Sequence, residues 1–196
     1  KRMAELADFG TSQGTLTTGG SNGNLLGMLC ARQSKLSLSS RSGFDGQKMV
    51  AFVSEESHYS FSIASNVIGI GHSNLIKVRC NEQGQMRPDS LQEEIERALR
   101  NGQTPFAVLA TSGTTVRGSF DPLRDIASVA HQYDLWMHVD AAWGGSCLFS
   151  PQYRSLMDGI ELADSFCWDA CRLLSSVKSI LLGNNPIHFA SGDHAR

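Results

Sequence analysis

No stretch of the 196-residue chain approaches the eighteen or so consecutive apolar residues that cross a bilayer. The opening Lys1-Arg2-Met3-Ala4-Glu5 also lacks the apolar core of a secretory signal. A cytoplasmic protein without a membrane partner is expected. Lysine and arginine form no run: 17 basic against 19 acidic residues leave a formal net charge of -2, so no field draws the chain to nucleic acid. The five cysteines, Cys30, Cys80, Cys147, Cys167 and Cys171, are an odd number without metal-ligand spacing, and four lie in apolar segments. Buried thiols in a reducing compartment are expected, with neither a disulfide framework nor a metal site. Internal repeats, low-complexity tracts, a P-loop and the dinucleotide Gly-x-Gly-x-x-Gly are absent as well, which removes an NAD-linked Rossmann enzyme. With no initiator Met, the chain is expected to be a fragment.

What is present is an ordinary globular composition, 41% hydrophobic and 18% charged, with one core as the expectation. Apolar runs of strand length alternate with segments of helical period, the pattern of an α/β domain with a mostly parallel sheet. Strands are predicted over residues 49–53, 75–80, 106–110, 136–139, 165–168 and 179–182, and helices over 22–34, 59–68, 88–101 and 122–133. The third helix is the clearest, with apolar Leu91, Ile95, Ala98 and Leu99 at i, i+4, i+7 and i+8, Pro88 at its start and Gly102 past its end. Residues 183–196 lose periodicity and are expected to form an irregular tail.

Several segments carry groups that could do chemistry. Gly19-Gly20-Ser21-Asn22-Gly23 opens an amphipathic helix, so backbone N–H groups and the positive helix end converge on one point. Such a turn serves either as a simple cap or as a phosphate cradle, with Ser21 adding a hydroxyl. Asp140 ends an apolar strand, where open parallel sheets bind ligands. It reads as a turn cap or as the partner of a protonated ring nitrogen, and the small Ala141, Ala142, Gly144 and Gly145 after it favour the second by leaving room for a flat ring. His58 follows the strand ending at Val53; it is either structural or available to stack and to transfer a proton. Thr111-Ser112-Gly113-Thr114-Thr115 brings hydroxyls to the same sheet edge. Asp121 is expected to cap the helix that Pro122 opens. His72, His131, His138, His188 and His194 remain unassigned.

In this order the segments Gly19-Gly20-Ser21, Ser57-His58-Tyr59-Ser60, Ala110-Thr111-Ser112-Gly113-Thr114-Thr115-Val116 with Phe120-Asp121-Pro122, and His138-Val139-Asp140-Ala141-Ala142-Trp143-Gly144-Gly145 resemble the group II pyridoxal-phosphate (PLP)-dependent amino-acid decarboxylases. Trp143 points to the glutamate and cysteine-sulfinate decarboxylase branch. The resemblance runs to about Leu182 and implies the fold type I, aspartate-aminotransferase-like large domain, incomplete over residues 1–182, without the family's N-terminal segment and C-terminal small domain. By resemblance Gly20 and Ser21 hold the cofactor phosphate, His58 stacks on the pyridine ring, Asp140 pairs with its nitrogen, Ala142 packs on the other face, and Thr114 contacts the ring or steadies Asp140. A homodimer acting on a small acidic amino acid (glutamate, aspartate or cysteine sulfinate) is implied.

The match breaks where the family reads Asn-Pro-His-Lys, because this chain reads Asp169-Ala170-Cys171-Arg172. Asp169 sets a negative charge near the phosphate position, and Cys171 replaces a histidine close to the cofactor. Arg172 occupies the place of the Schiff-base lysine, yet a guanidinium stays protonated and cannot attack a carbonyl. Lys178 lies roughly 20 Å further on in an extended segment. Covalent attachment of PLP is therefore not expected. Two readings follow: a decarboxylase by lineage, or an inactive, regulatory relative that holds PLP non-covalently or not at all and pairs with an intact paralogue.

Overall fold

The computed structural model of the chain describes residues 2–10, 13–36, 43–170 and 179–183. The strands are β1 (Gln13–Thr17), β2 (Met49–Ser54), β3 (Leu75–Val78), β4 (Thr104–Thr111), β5 (Trp136–Asp140), β6 (Ser165–Asp169) and β7 (Ser179–Gly183), and the helices are α1 (Arg2–Leu6), α2 (Gly20–Lys35), α3 (Ser60–Val67), α4 (Pro88–Arg100) and α5 (Leu123–Gln132). Among these residues the strands form one sheet in the order β1-β7-β6-β5-β4-β2-β3. The run β6-β5-β4-β2-β3 is parallel, and β7 is antiparallel to both β6 and β1.

Side chains alternate across the sheet and fill two cores. Val50, Phe52, Val108, Ala110, Met137 and Val139 face α4 and α5, whereas Met49, Ala51, Val53, Ala107 and Leu109 face α2 and α3. Burial on both faces makes the central strands read as continuous apolar runs. The chain steps outward from β2 to β3, returns to β4 on the other side of β2, and continues to β5 and β6. Strand order therefore reverses between β2 and β4, which opens a crevice at their carboxyl ends.

The departures from the sequence expectation have local causes. Helix α2 starts at Gly20 rather than at residue 22 and lies unusually close to the sheet. A Cβ on Gly23 would come within 2.9 Å of Cys167 Sγ, and one on Gly27 within 2.5 Å of the His138 ring. Strand β3 stops at Val78, and Cys80 instead forms an isolated bridge with Met86. Leu99 is 49% exposed while Leu91, Ile95 and Ala98 are buried, because the i+8 position lies about 80° around the helix from i. Asp121 does not cap α5, whose N-cap is Pro122; its carboxylate turns inward. Strand β1 is exposed at an edge and polar in sequence, and α1 spans only five residues, so neither leaves a periodic signal. Of the cysteines, Cys30 and Cys167 are buried but Cys80 and Cys147 are partly exposed, and all four are thiols rather than halves of a disulfide. Burial pushes the Cys30 thiol up to about 11. No helix of the described residues is long and apolar enough to cross a membrane.

Candidate active site

Four strand ends build the site. In register, Thr111 of β4 lies beside Asp140 of β5, which lies beside Cys167 of β6. The loops leaving β2, β4 and β5 and the first turn of α2 enclose a cavity of about 310 Å³. It is lined by Gly20, Ser21 and Asn24 from α2, His58 after β2, Thr111 and Gly113 to Thr115 after β4, and Asp140, Ala142 and Trp143 after β5. The left-handed turn at Gly113, with φ of +87°, lets the Trp143 ring lie where any side chain would stand, since Trp143 Cε3 is 2.6 Å from a Cβ built there.

Asp140 is 6% exposed. Its Oδ1 accepts a hydrogen bond from the Ala142 N–H at 3.1 Å, and its Oδ2 accepts one from Asn24 Nδ2 at 2.8 Å. Burial raises the pKa of this carboxyl, the Ala142 and Asn24 donors and nearby His58 draw it back down, and Asp169 adds to the rise. A buried carboxylate at a cavity wall matches the chemistry of a cationic ring nitrogen, which would return part of the lost solvation. His58 Nδ1 accepts the Ser60 backbone N–H at 3.2 Å. An Nδ1 that accepts is unprotonated, so in the neutral ring the proton sits on Nε2.

Gly20 is held between two of the other predicted residues: a Cβ added there would sit 3.0 Å from the Ala142 Cβ and 3.1 Å from Asp169 Oδ2. The helix start thus passes directly over Ala142, and Ser21 is exposed at the mouth. Asp169 is buried, its N–H bonds the Ala142 carbonyl at 3.2 Å, and its side chain borders an adjoining cavity with Thr18, Gly19 and Ser21. Thr114 is buried in the cavity wall, where its hydroxyl accepts the Ser119 N–H at 3.0 Å. The side-chain hydrogen bond that steadies Asp140 comes from Asn24, not from Thr114. The structure therefore brings together Gly20, Ser21, His58, Thr114, Asp140 and Ala142, with Asp169 beside them. Cys171, Arg172 and Lys178 lie outside the described residues, as does the tail from 184 onward.

Sequence reasoning missed Asn24 and His138. The signal was available in part: Asn24 is one helical turn from both Gly20 and Gly27, on the face that glycine leaves open to the sheet, and His138 precedes Asp140 by two residues on the same strand face.

The model of the pyridoxal-dependent decarboxylase conserved domain matches residues 1–180. The chain belongs to the pyridoxal-dependent decarboxylase family. It is 41% identical over 175 residues to the acidic amino acid decarboxylase GADL1 of Xenopus tropicalis, covering 89% of this chain and 34% of that protein. It is 40% identical over 177 residues to the cysteine sulfinic acid decarboxylase of Rattus norvegicus, covering 90% of this chain and 36% of that one. The chain thus spans about a third of the length of the curated relatives it matches. The crystal structure of mouse CSAD superposes with a TM-score of 0.93 at 39% identity, covering 95% of this chain and 40% of that one. Oryza sativa TDC with PLP and tryptamine superposes at 0.86 with 26% identity, over 94% of this chain and 40% of that one. The fold is that of the PLP-dependent decarboxylases, and PLP is the cofactor of the family.

Proposed function

We propose that the chain is the cofactor-binding part of a decarboxylase of small acidic amino acids, with glutamate, aspartate and cysteine sulfinate as the substrate class. The observation that carries this reading is the buried Asp140 carboxylate at the wall of a cavity walled also by His58, Ala142 and Thr114. The names of the relatives, an acidic amino acid decarboxylase and a cysteine sulfinic acid decarboxylase, support the substrate class.

When bound, PLP supplies the electron sink that makes loss of a carboxyl group as CO₂ feasible. The chain's own residues supply the setting. Asp140 presents a fixed negative charge for a ring N–H, Ala142 offers a flat, small wall, and His58 holds its proton on Nε2. The N–H groups at the start of α2 and the Ser21 hydroxyl are donors for a phosphate. Among the described residues the cavity lining has no lysine or arginine. The cations that an acidic substrate requires thus come from outside this lining. A homodimer is part of the reading, supported by the exposed apolar Tyr59, Ile63 and Val67, spaced one turn apart from the N-cap to the end of α3.

Arg172 at the lysine position favours a second reading, a protein that holds PLP without a covalent bond. One experiment separates them. The chain is incubated with PLP, reduced with borohydride, mapped by mass spectrometry, and assayed in parallel for CO₂ release from labelled glutamate and cysteine sulfinate. A pyridoxyl adduct on one specific lysine, Lys178 above all, together with CO₂ release supports the decarboxylase. Saturable PLP binding without an adduct or CO₂ supports the non-covalent reading, and Arg172→Lys then restores an adduct. No PLP binding at all removes both.

A further inference from the structure

His138 is fully buried on β5, and its ring fills the space left by Gly27 while Phe61 meets it edge-on at 6.2 Å. Both ring nitrogens are engaged. Nδ1 lies 2.8 Å from Ser165 Oγ, and Nε2 lies 3.1 Å from Asn24 Oδ1. Ser165 Oγ in turn receives the Trp136 indole N–H at 2.9 Å. At the other end Asn24, 1% exposed, donates from its amide nitrogen to both Asp140 Oδ2 at 2.8 Å and Ser60 Oγ at 3.0 Å.

These bonds have one consistent direction. An ionised Asp140 only accepts, so Asn24 must turn its NH₂ toward it and its oxygen toward His138. His138 must then carry its proton on Nε2, and its bare Nδ1 accepts from the Ser165 hydroxyl, whose oxygen is left to accept from Trp136. Every member is satisfied and none has a spare polar group, which makes the array rigid. Through Ser60, whose backbone N–H bonds His58, the same amide also fixes the start of α3.

We propose that Asn24 is a positioning residue: clamped from behind by the Trp136–Ser165–His138 chain, it holds Asp140 ionised and aimed at the cavity, and ties His58 to the same frame. The part of this that concerns the cofactor rests on the reading of Asp140 as the ring-nitrogen partner. Among the described residues, the charged and titratable groups around Asp140 are His58 from the loop after β2, Cys167 and Asp169 from β6, and His138 from its own strand. Asp121 lies behind Thr111, bound to its N–H. Helix α2 contributes only the neutral Asn24 to the Asp140 carboxylate.

The test has two arms. In the chain without PLP, ¹⁵N NMR of His138 at pH 7 is expected to show the Nε2–H tautomer, and ¹³C NMR of the Asp140 carboxyl is followed against pH in wild type and Asn24→Leu. Loss of the amide donor is expected to raise the Asp140 midpoint by about one pH unit or more. The Nδ1–H tautomer in wild type would overturn the proposal without any variant, and so would a folded Asn24→Leu whose Asp140 titrates as in wild type. In the second arm, ¹⁵N-labelled PLP is added: its ring nitrogen is expected to stay protonated to higher pH in wild type than in Asn24→Leu. If wild type binds no PLP while the Asp140 midpoint moves as expected, the cofactor reading falls and the positioning role stands.

Discussion

Two buried aspartates both neighbour Thr111 and behave in opposite ways. Asp121 places both carboxylate oxygens on backbone N–H groups, Met86 at 2.7 Å and Thr111 at 2.8 Å, away from the cavity. Asp140, beside that same Thr111 in register, is held by one backbone N–H and one side chain and looks into the cavity. Burial raises both, Asp121 to about 6. The partners, rather than the depth, separate a carboxylate that clamps loops together from one kept available for a ligand. A backbone clamp stays where the fold puts it, whereas a side-chain partner can be tuned.

Removing each group in turn should break the pair apart. Asp140→Ala is expected to weaken PLP binding by about 100-fold or more, through loss of a buried charge pair, with a smaller loss of stability than Asp121→Ala because water entering the cavity can accept from the Ala142 and Asn24 donors; fluorescence titration and thermal unfolding measure the two. Asp121→Ala should do the reverse, costing about 2–4 kcal/mol in chemical denaturation by leaving two buried N–H groups without acceptors, with PLP affinity within about twofold of wild type. A wild-type-like stability for Asp121→Ala would erase the distinction.

Acid and base titrations sharpen it further. Burial lowers His138 to about 3, so its neutral form contributes stability that is complete above the unfolded value near 6.5 and lost as pH falls. Wild type should lose about 1.4 kcal/mol per pH unit relative to His138→Leu below that value. Asp121 has the opposite sign: its contribution is complete below the unfolded value near 3.9 and is lost as pH rises through about 6. A His138→Leu difference that stays flat from pH 7 to 4 would contradict the neutral, enclosed imidazole. The smallest effect is expected at Asp169. Replacing its negative charge beside the Gly20 turn by Asp169→Asn should tighten binding of PLP or inorganic phosphate by about tenfold or less, read by competition at fixed ionic strength.

Much of this arrangement was legible in the sequence. Strand runs and helical periods located the central sheet and four helices, because burial on both faces leaves long apolar signals in β2, β4 and β5. The ordered motifs placed Gly20, His58, Thr114, Asp140 and Ala142 in one family pattern before any geometry was known. Strand β1 was invisible because an exposed edge needs no apolar alternation. Asp121 was misread since Asp-Pro is an ordinary helix start, and its use shows only in its two backbone donors, Met86 and Thr111, 35 and 10 residues earlier in the chain. Asn24 and His138 escaped because their importance lies in each other, 114 residues apart, and a pairing at that distance has no local pattern.

Gly27 never meets the cavity. By having no side chain it fixes how near α2 comes to β5, and thereby how far Asn24 reaches toward Asp140. The calibration of the pocket is set from its rear wall, so drift at a residue no ligand touches could detune the carboxylate as effectively as a change in the pocket itself.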